Sequence, residues 1–292
     1  MNMHGILPAL VTPFDQAGNV DCATLASIVE YQLKAGVSGF VALGSTGEYY
    51  ALDNPERRLV LQTVKEVADG KGTLIANCNG ASTREVIAQI RQAIECGFNN
   101  ILLAPPFYAL PTQEELINHY QVVLDTFADI NVILYNYPIR TNVEVGTSVL
   151  EAFRDHPRVI GIKESSGNLL RAIEVTETFK GGYQLSCGSD DQALDFFLWG
   201  ATSWICGPAN CFPDQIVAFH KAFTAGDIQG AQAVMRSLFP VMASMEQGKF
   251  IQKVKYGCEL AGFNSGNARL PLLPLSDAEK AEFRAVFEAS QR

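Results

Sequence analysis

Eight short apolar segments, each followed by a longer amphipathic segment, constrain the fold of this 292-residue chain more than any other feature. Most of the apolar segments are continuous rather than alternating, which is typical of parallel strands covered on both faces. The predicted strands are residues 5–10, 39–43, 73–77, 100–104, 132–135, 159–163, 184–187 and 203–206. The predicted helices between them are residues 22–35, 55–68, 83–96, 113–127, 147–153, 169–179, 192–199 and 213–224.

Eight consecutive strand–helix units predict an α/β fold, a (β/α)8 TIM barrel. An open doubly wound sheet is the alternative, but no glycine-rich dinucleotide turn follows the first predicted strand. The alternation stops after Gly226, and residues 227–245, 249–260 and 277–289 are predicted to form three further helices. We therefore expect a barrel over residues 1–225 and a C-terminal helical region over residues 226–292.

Composition excludes several classes of partner. The formal net charge is −9 and the basic residues do not cluster, which argues against a nucleic-acid partner. No apolar run approaches the roughly 18 residues of a membrane span, and the first residues lack a signal-peptide pattern. The seven cysteines are scattered and the four histidines share no ligand spacing, so we expect reduced thiols, no metal and a cytoplasmic location.

Lys163 is the residue that most clearly points to chemistry. It ends a predicted buried strand, and active sites of barrels lie at the carboxyl ends of the strands. Desolvation there should lower the pKa of the amine, and a neutral amine can attack a ketone to form a Schiff base. An isolated lysine in such a place more often only extends its amine to solvent. The residues at the other strand ends therefore decide between a catalytic and a solvent-exposed lysine.

Four other strand ends carry suitable groups. The loop Gly44-Ser45-Thr46-Gly47-Glu48 offers hydroxyls and backbone N–H groups for a carboxylate, although alone it is also an ordinary tight turn. Tyr135 is a proton-transfer candidate or a core aromatic, and Arg140 is a carboxylate ligand or a surface ion pair. Tyr108 follows two prolines, where loop packing or an oligomer contact is the alternative, and Asp190 and Asp191 are expected to cap a helix. Together with Lys163, these groups suit Schiff-base chemistry on a 2-keto acid with an acidic co-substrate.

At this point the chain resembles the dihydrodipicolinate synthase/N-acetylneuraminate lyase family of class I, lysine-dependent pyruvate aldolases. The specific motifs are Gly44-Ser45-Thr46-Gly47-Glu48, Tyr135-Asn136-Tyr137-Pro138 and Gly161-Ile162-Lys163-Glu164. The resemblance spans the chain, from Leu10-Val11-Thr12-Pro13-Phe14 to Arg269-Leu270-Pro271-Leu272.

The resemblance implies a role for each matched position. Lys163 matches the Schiff-base lysine, and Tyr135 matches the tyrosine that transfers protons. Ser45 and Thr46, with Gly44 and Gly47 beside them, match the loop that holds the pyruvate carboxylate, and Thr46 also lies on the proton relay. Tyr108 matches a tyrosine that enters the neighbouring subunit's site. A homotetramer built as a dimer of dimers, and no cofactor beyond the covalent adduct on Lys163, are implied as well.

The two branches of the family differ in their second substrate. Arg140 matches the arginine with which the synthases bind the carboxylate of aspartate semialdehyde, whereas Ser45 in place of a threonine is familiar from the lyases and sugar-acid aldolases. We therefore expect condensation of pyruvate with L-aspartate semialdehyde to 4-hydroxy-tetrahydrodipicolinate, a step of lysine and diaminopimelate biosynthesis. The alternatives are an aldolase, dehydratase or deaminase with the same lysine and a sugar-acid, sialate or hydroxy-pyrroline-carboxylate substrate, or a ligand-binding barrel without catalysis.

Overall fold

The computed structural model describes residues 3–291, which contain eight parallel strands in one sheet. The strands are β1 (Gly5–Pro8), β2 (Gly39–Ala42), β3 (Thr73–Asn77), β4 (Asn100–Leu103), β5 (Asn131–Asn136), β6 (Val159–Glu164), β7 (Gln184–Cys187) and β8 (Ser203–Cys206). Their order is β1-β8-β7-β6-β5-β4-β3-β2, and a parallel bridge between Ala9 and Val41 also pairs the two ends of this order. The predicted (β/α)8 barrel is therefore confirmed.

Twelve α-helices are formed by the described residues. They are α1 (Cys22–Ala35), α2 (Asn54–Ala68), α3 (Thr83–Glu95), α4 (Gln113–Thr126), α5 (Pro138–Thr141), α6 (Thr147–Phe153), α7 (Leu169–Glu177), α8 (Ala193–Leu198), α9 (Pro213–Thr224), α10 (Ile228–Glu246), α11 (Phe250–Leu260) and α12 (Asp277–Ala289). No helix in residues 3–291 is both long enough and apolar enough to cross a membrane. The sequence did not predict α5 or the short 3₁₀ turns Tyr49–Ala51, Asp190–Gln192 and Pro208–Asn210.

The chain folds as two compact units, and the first comprises residues 3–4 and 75–205 of the described chain. Within it, each strand from β3 to β8 pairs in parallel with the next, and the register shifts once, between Val132 and Ile133 where β5 pairs with β6. Tyr135 pairs with Lys163, Lys163 with Ser186, and Ser186 with Ser203. Because paired residues of neighbouring strands point to the same face of a sheet, these four side chains form one row.

The second unit comprises residues 5–74 and 206–291 of the described chain. Helix α1 ends at Gly36, whose left-handed backbone (φ 95°) lets its N–H bond the carbonyls of Gln32 and Leu33. The ring of Phe212, just before α9, packs on the ring of Phe287 in α12, with centres 4.5 Å apart. Helices α10 to α12 lie beyond Gly226, where strand periodicity ends in the sequence.

In the sequence, the pair Asn54-Pro55 predicts a helix cap at Asn54 followed by a first-turn proline. The predicted cap is wrong by one residue, because Asp53 is the N-cap of α2 and its side chain accepts from the N–H of Glu56. The Glu56 carboxylate bonds back to the N–H of Asp53, which completes a capping box. Both residues suit the capping position, and this reciprocal bond selects Asp53.

Candidate active site

Lys163 lies at the end of β6 with 7% of its surface exposed. Its amine nitrogen is 4.4 Å from the centre of the Tyr135 ring, on the neighbouring strand β5. Gly188 borders the lysine on the other side, because a Cβ at this position would lie 2.8 Å from Cε of Lys163. The Lys163 side chain thus lies against the Tyr135 ring, and Gly188 leaves space for its Cε because it has no side chain.

Two further side chains, those of Tyr137 and Arg140, extend this arrangement from the Tyr135 ring. The Tyr135 ring, 3% exposed, stacks on the Tyr137 ring with centres 5.6 Å apart and planes 23° apart. The Arg140 guanidinium carbon lies 5.9 Å from the centre of the Tyr137 ring, within reach of a cation–π interaction. The structure therefore brings Lys163 and Tyr135 together directly, and Arg140 joins them through Tyr137.

Sequence reasoning missed Tyr137 as a site residue. A usable signal was present, since Tyr137 follows Tyr135 by two positions and side chains two apart in an extended chain share a face. Its ring is half-buried, and it lies just before the short helix α5 that carries Arg140. The ring thereby links the end of β5 to the guanidinium.

A buried carboxylate supports the same strand ends from the opposite face. Glu164 is fully buried and accepts from Nδ2 of Asn136 at 2.8 Å and from the N–H of Ser166 at 2.7 Å. Burial raises the pKa of Glu164, against the effect of these bonds and of the Arg171 guanidinium, whose Nε is 3.9 Å away. Asn136 also accepts from the N–H of Val145, so the network fixes the loop after α5 to the end of β6.

The row of side chains beside Lys163 contains two buried serine hydroxyls. Ser186 and Ser203 are both fully buried, and neither Oγ has a hydrogen-bond partner among residues 3–291. A buried hydroxyl without a partner is costly, and a water or a polar ligand atom would satisfy it. This face of the sheet is therefore polar around the lysine.

Tyr108 lies apart from these contacts, in the loop after β4. Its side chain is 94% exposed, and the backbone at Tyr108 and Leu110 is left-handed, with φ of 70° and 52°. Such backbone is strained for residues other than glycine, so the loop holds Tyr108 outward in an unusual conformation. That this tyrosine enters a neighbouring subunit stays a prediction.

The loop of residues 44–48 belongs to the second unit and is a tight turn. The N–H of Gly47 bonds the carbonyl of Gly44 at 3.0 Å, and the hydroxyl of Thr12 donates to the carbonyl of Gly47 at 2.7 Å. A Cβ on Gly47 would lie 2.8 Å from the carbonyl oxygen of Leu10, so only glycine fits there. Thr46 is 6% exposed and Ser45 is half-buried.

The capping role expected of Asp190 is wrong. Ser189 occupies the position before the turn Asp190–Gln192, and Asp190 is 3% exposed. Its carboxylate accepts from the indole Nε1–H of Trp204 at 2.9 Å. A buried indole N–H requires a hydrogen-bond acceptor, and the Asp190 carboxylate is that acceptor instead of a helix cap.

Comparisons with known proteins find relatives along the whole chain. The sequence profile of the Dihydrodipicolinate synthetase family matches residues 2–290. The 4-hydroxy-tetrahydrodipicolinate synthase of Acidiphilium cryptum is 34% identical over 283 residues, which is 97% of each chain, and that of Methanoculleus marisnigri is 34% identical over 97% of this chain and 98% of its own.

Solved structures are similar along the whole chain. Dihydrodipicolinate synthase of Thermotoga maritima superposes with a TM-score of 0.94 at 29% identity, covering 99% of each chain. The chloride-inhibited enzyme of Acinetobacter baumannii, complexed with pyruvate, gives 0.95 at 28% identity and 99% of each chain. A monomeric dihydrodipicolinate synthase variant gives 0.94 at 29% identity, covering 99% of this chain and 97% of its own.

Proposed function

Because the chain belongs to the Dihydrodipicolinate synthetase family of class I lyases, we propose that it condenses pyruvate with L-aspartate semialdehyde to 4-hydroxy-tetrahydrodipicolinate. The observation that carries the proposal is the buried Lys163 amine, held 4.4 Å from the centre of the Tyr135 ring. A buried amine beside a phenol suits covalent catalysis on a ketone, because the phenol can move the protons that imine formation requires.

The first half of the proposed reaction forms an enamine on Lys163. The amine nitrogen attacks the keto carbon of pyruvate and gives a carbinolamine. Tyr135 returns a proton to the hydroxyl, which leaves as water, and the C=N bond of the imine forms. Loss of a proton from the methyl carbon then yields the enamine. No cofactor is needed, since the lysine itself provides the electron sink.

In the second half, the enamine carbon attacks the aldehyde carbon of the co-substrate and forms the new C–C bond. The imine that results is attacked by the amine of the co-substrate, which closes the ring and displaces the Lys163 nitrogen. Water is lost once and is not consumed, so the cyclic product keeps the hydroxyl that derives from the aldehyde. Tyr135 and Thr46 exchange the protons of these steps in the proposal.

Each carboxylate has a proposed partner. Ser45 and Thr46, in the turn that Gly44 and Gly47 permit, bind the pyruvate carboxylate through hydroxyl and backbone N–H groups. Arg140 binds the carboxylate of the aldehyde with its planar guanidinium. The support for Arg140 is its position over the Tyr137 ring, which in turn stacks on the Tyr135 ring.

A substrate panel tests this assignment. Purified protein should turn over pyruvate with L-aspartate semialdehyde at least about tenfold faster, by kcat/KM, than it cleaves or dehydrates any 2-keto-3-deoxy sugar acid. Faster conversion of a sugar acid would favour the second candidate, another lysine-dependent aldolase, dehydratase or deaminase. Ser45 and the buried hydroxyls of Ser186 and Ser203 support that candidate, since they add polar groups suited to a hydroxylated substrate.

We also propose a homotetramer in which Tyr108 completes a neighbouring site. The support is an exposed group in the loops that follow β4 and β5, where Tyr108, Leu110 and Ile139 are 94%, 49% and 75% exposed. Mixing Tyr108→Phe with Lys163→Ala subunits should restore activity above that of either variant alone. Absence of any recovery in verified hybrid oligomers would overturn the shared site.

A further inference from the structure

A second buried lysine lies in the unit that contains the loop of residues 44–48. Lys255, in the middle of α11, is 2% exposed, and its amine nitrogen lies 2.8 Å from Oε1 of Glu48, which is fully buried. The amine also donates to the carbonyl of Asn267 at 3.1 Å and lies 4.0 Å from the centre of the Phe14 ring. Glu48 is the residue that directly follows Ser45, Thr46 and Gly47.

The other oxygen of the Glu48 carboxylate is bound as well. Oε2 accepts from the backbone N–H of Arg269 at 2.8 Å. The Arg269 side chain pairs with the Glu56 carboxylate, donates to the carbonyl of Ala51 at 2.7 Å and lies over the Phe14 ring at 4.3 Å. Arg269 thus contacts Glu48 through its backbone, and Ala51 and Glu56, which follow Glu48 in the sequence, through its side chain.

The backbone conformation of Glu48 connects these contacts to the shape of the loop of residues 44–48. Glu48 has a left-handed conformation, with φ of 55°, and its N–H bonds the carbonyl of Ser45 at 3.2 Å. A non-glycine residue keeps such strained backbone only when surrounding contacts impose it. The contacts of the Glu48 carboxylate with Lys255 and Arg269 impose this backbone conformation, so they help to set the orientation of the peptide planes of residues 45–48.

We propose that Glu48 and Lys255 are positioning residues for keto-acid binding, holding the loop of residues 44–48 in the shape that receives a carboxylate. This inference rests on the proposed function, because it assumes that Ser45 and Thr46 bind the pyruvate carboxylate. Neither residue touches the substrate in this account. Their effect is on how much pyruvate is needed to load Lys163, and not on the chemistry that follows.

The test measures trapping of pyruvate by borohydride as a function of pyruvate concentration, so it does not depend on the second substrate. Lys255→Met alone leaves a buried carboxylate without its counter-ion, so this variant should lose stability whatever the role of the pair. The double variant Glu48→Gln with Lys255→Met removes both charges at similar volume and should regain much of the lost stability. Thermal unfolding of all variants is measured in parallel.

The positioning role predicts that the half-saturating pyruvate concentration rises at least about fivefold in the double variant, although its stability recovers. The trapping rate at saturating pyruvate should stay within about twofold of wild type. Lys249→Met is the matched control, because it breaks the exposed Lys249–Glu279 pair of the same C-terminal region. It should change neither quantity.

Two results overturn different claims. A double variant that loads Lys163 at wild-type pyruvate concentrations would show that the pair is purely structural, and the positioning role would fail while the proposed function stands. A wild-type protein that traps no pyruvate at all would remove the proposed function, and the positioning role with it.

Discussion

Two lysines among residues 3–291, Lys163 and Lys255, are buried in different surroundings. Lys255 faces the Glu48 carboxylate at 2.8 Å, and although burial lowers the pKa of its amine, the ion pair acts against that shift. Lys163 lies at a strand end with its amine over the Tyr135 ring and its Cε against the space that Gly188 leaves. An ammonium held in an ion pair has no lone pair to attack a carbonyl. Burial alone therefore does not identify a nucleophile, and the neighbouring groups must be considered.

The largest expected difference between the two regions is in turnover. Lys163→Ala should lower kcat by at least about a thousandfold, because the covalent route is lost. Lys255→Met, where it folds, should keep covalent loading at saturating pyruvate. Steady-state kinetics and borohydride trapping of both variants make this measurement. A Lys163→Ala protein that still trapped pyruvate would refute the contrast.

The stacked tyrosines sharpen the assignment within the Lys163 region. Tyr135→Phe keeps the ring against Lys163 and removes the phenolic proton, so kcat should fall about a hundredfold. Tyr137→Phe is the matched control, because it keeps the 5.6 Å stack and removes the other phenol. Its kcat should stay within about threefold of wild type. Equal losses in the two variants would contradict the role of Tyr135 in proton transfer.

Filling the space beside Gly188 should slow the loading of Lys163 by less than the loss of the Tyr135 phenol lowers kcat. In Gly188→Ala, the new methyl would lie 2.8 Å from Cε of Lys163 and would also meet the Ser165 hydroxyl. We expect about a tenfold slower trapping rate and a free energy of unfolding lower by about 1–3 kcal/mol.

Adding Ser165→Ala removes the second of these contacts. The combined variant should recover part of the lost stability but keep the slow trapping rate, because the contacts of the methyl with Lys163 and with the Glu164 carbonyl remain. Borohydride trapping over time and urea unfolding measure the two quantities. Recovery of both would mean that the Gly188 contact with Lys163 has no effect on the reaction.

The smallest effect concerns the ion pair beside Lys255. The bonds from Arg269 hold the pKa of Glu56 below its ordinary value of 4.5, so the pair stabilises the fold above that value. The stabilisation should be lost as the pH falls through the lowered pKa. Relative to Glu56→Gln, wild type should be more stable near neutral pH by on the order of 1 kcal/mol. Urea unfolding along a pH series should show this difference disappear in acid, and a constant difference would contradict the charge effect.

The strands and helices could be predicted because their signals are local. Residues 73–77, 184–187 and 203–206 were predicted as strands with the bounds that the structure has, since each is a short segment between helical patterns and is followed by turn residues. The strand-end rule for barrels then selected Lys163 and Tyr135, which pair in register on neighbouring strands.

The remaining features depend on contacts between distant parts of the chain. Lys255 belongs to a predicted amphipathic helix, and only the folded chain places Glu48 against it. The bond from Trp204 to Asp190 likewise overrides a local capping preference. The stack of Tyr137 on Tyr135 was accessible in principle from their spacing, but the Arg140 contact was not, because it depends on the turn into α5.

The most direct test of the account is to locate the covalent adduct. Wild-type protein is incubated with pyruvate, reduced with borohydride and digested, and the modified peptide is identified by mass spectrometry. The account predicts a single reduced pyruvate adduct on Lys163, with Lys255 unmodified. The absence of any adduct, or an adduct on a lysine other than Lys163, would contradict it.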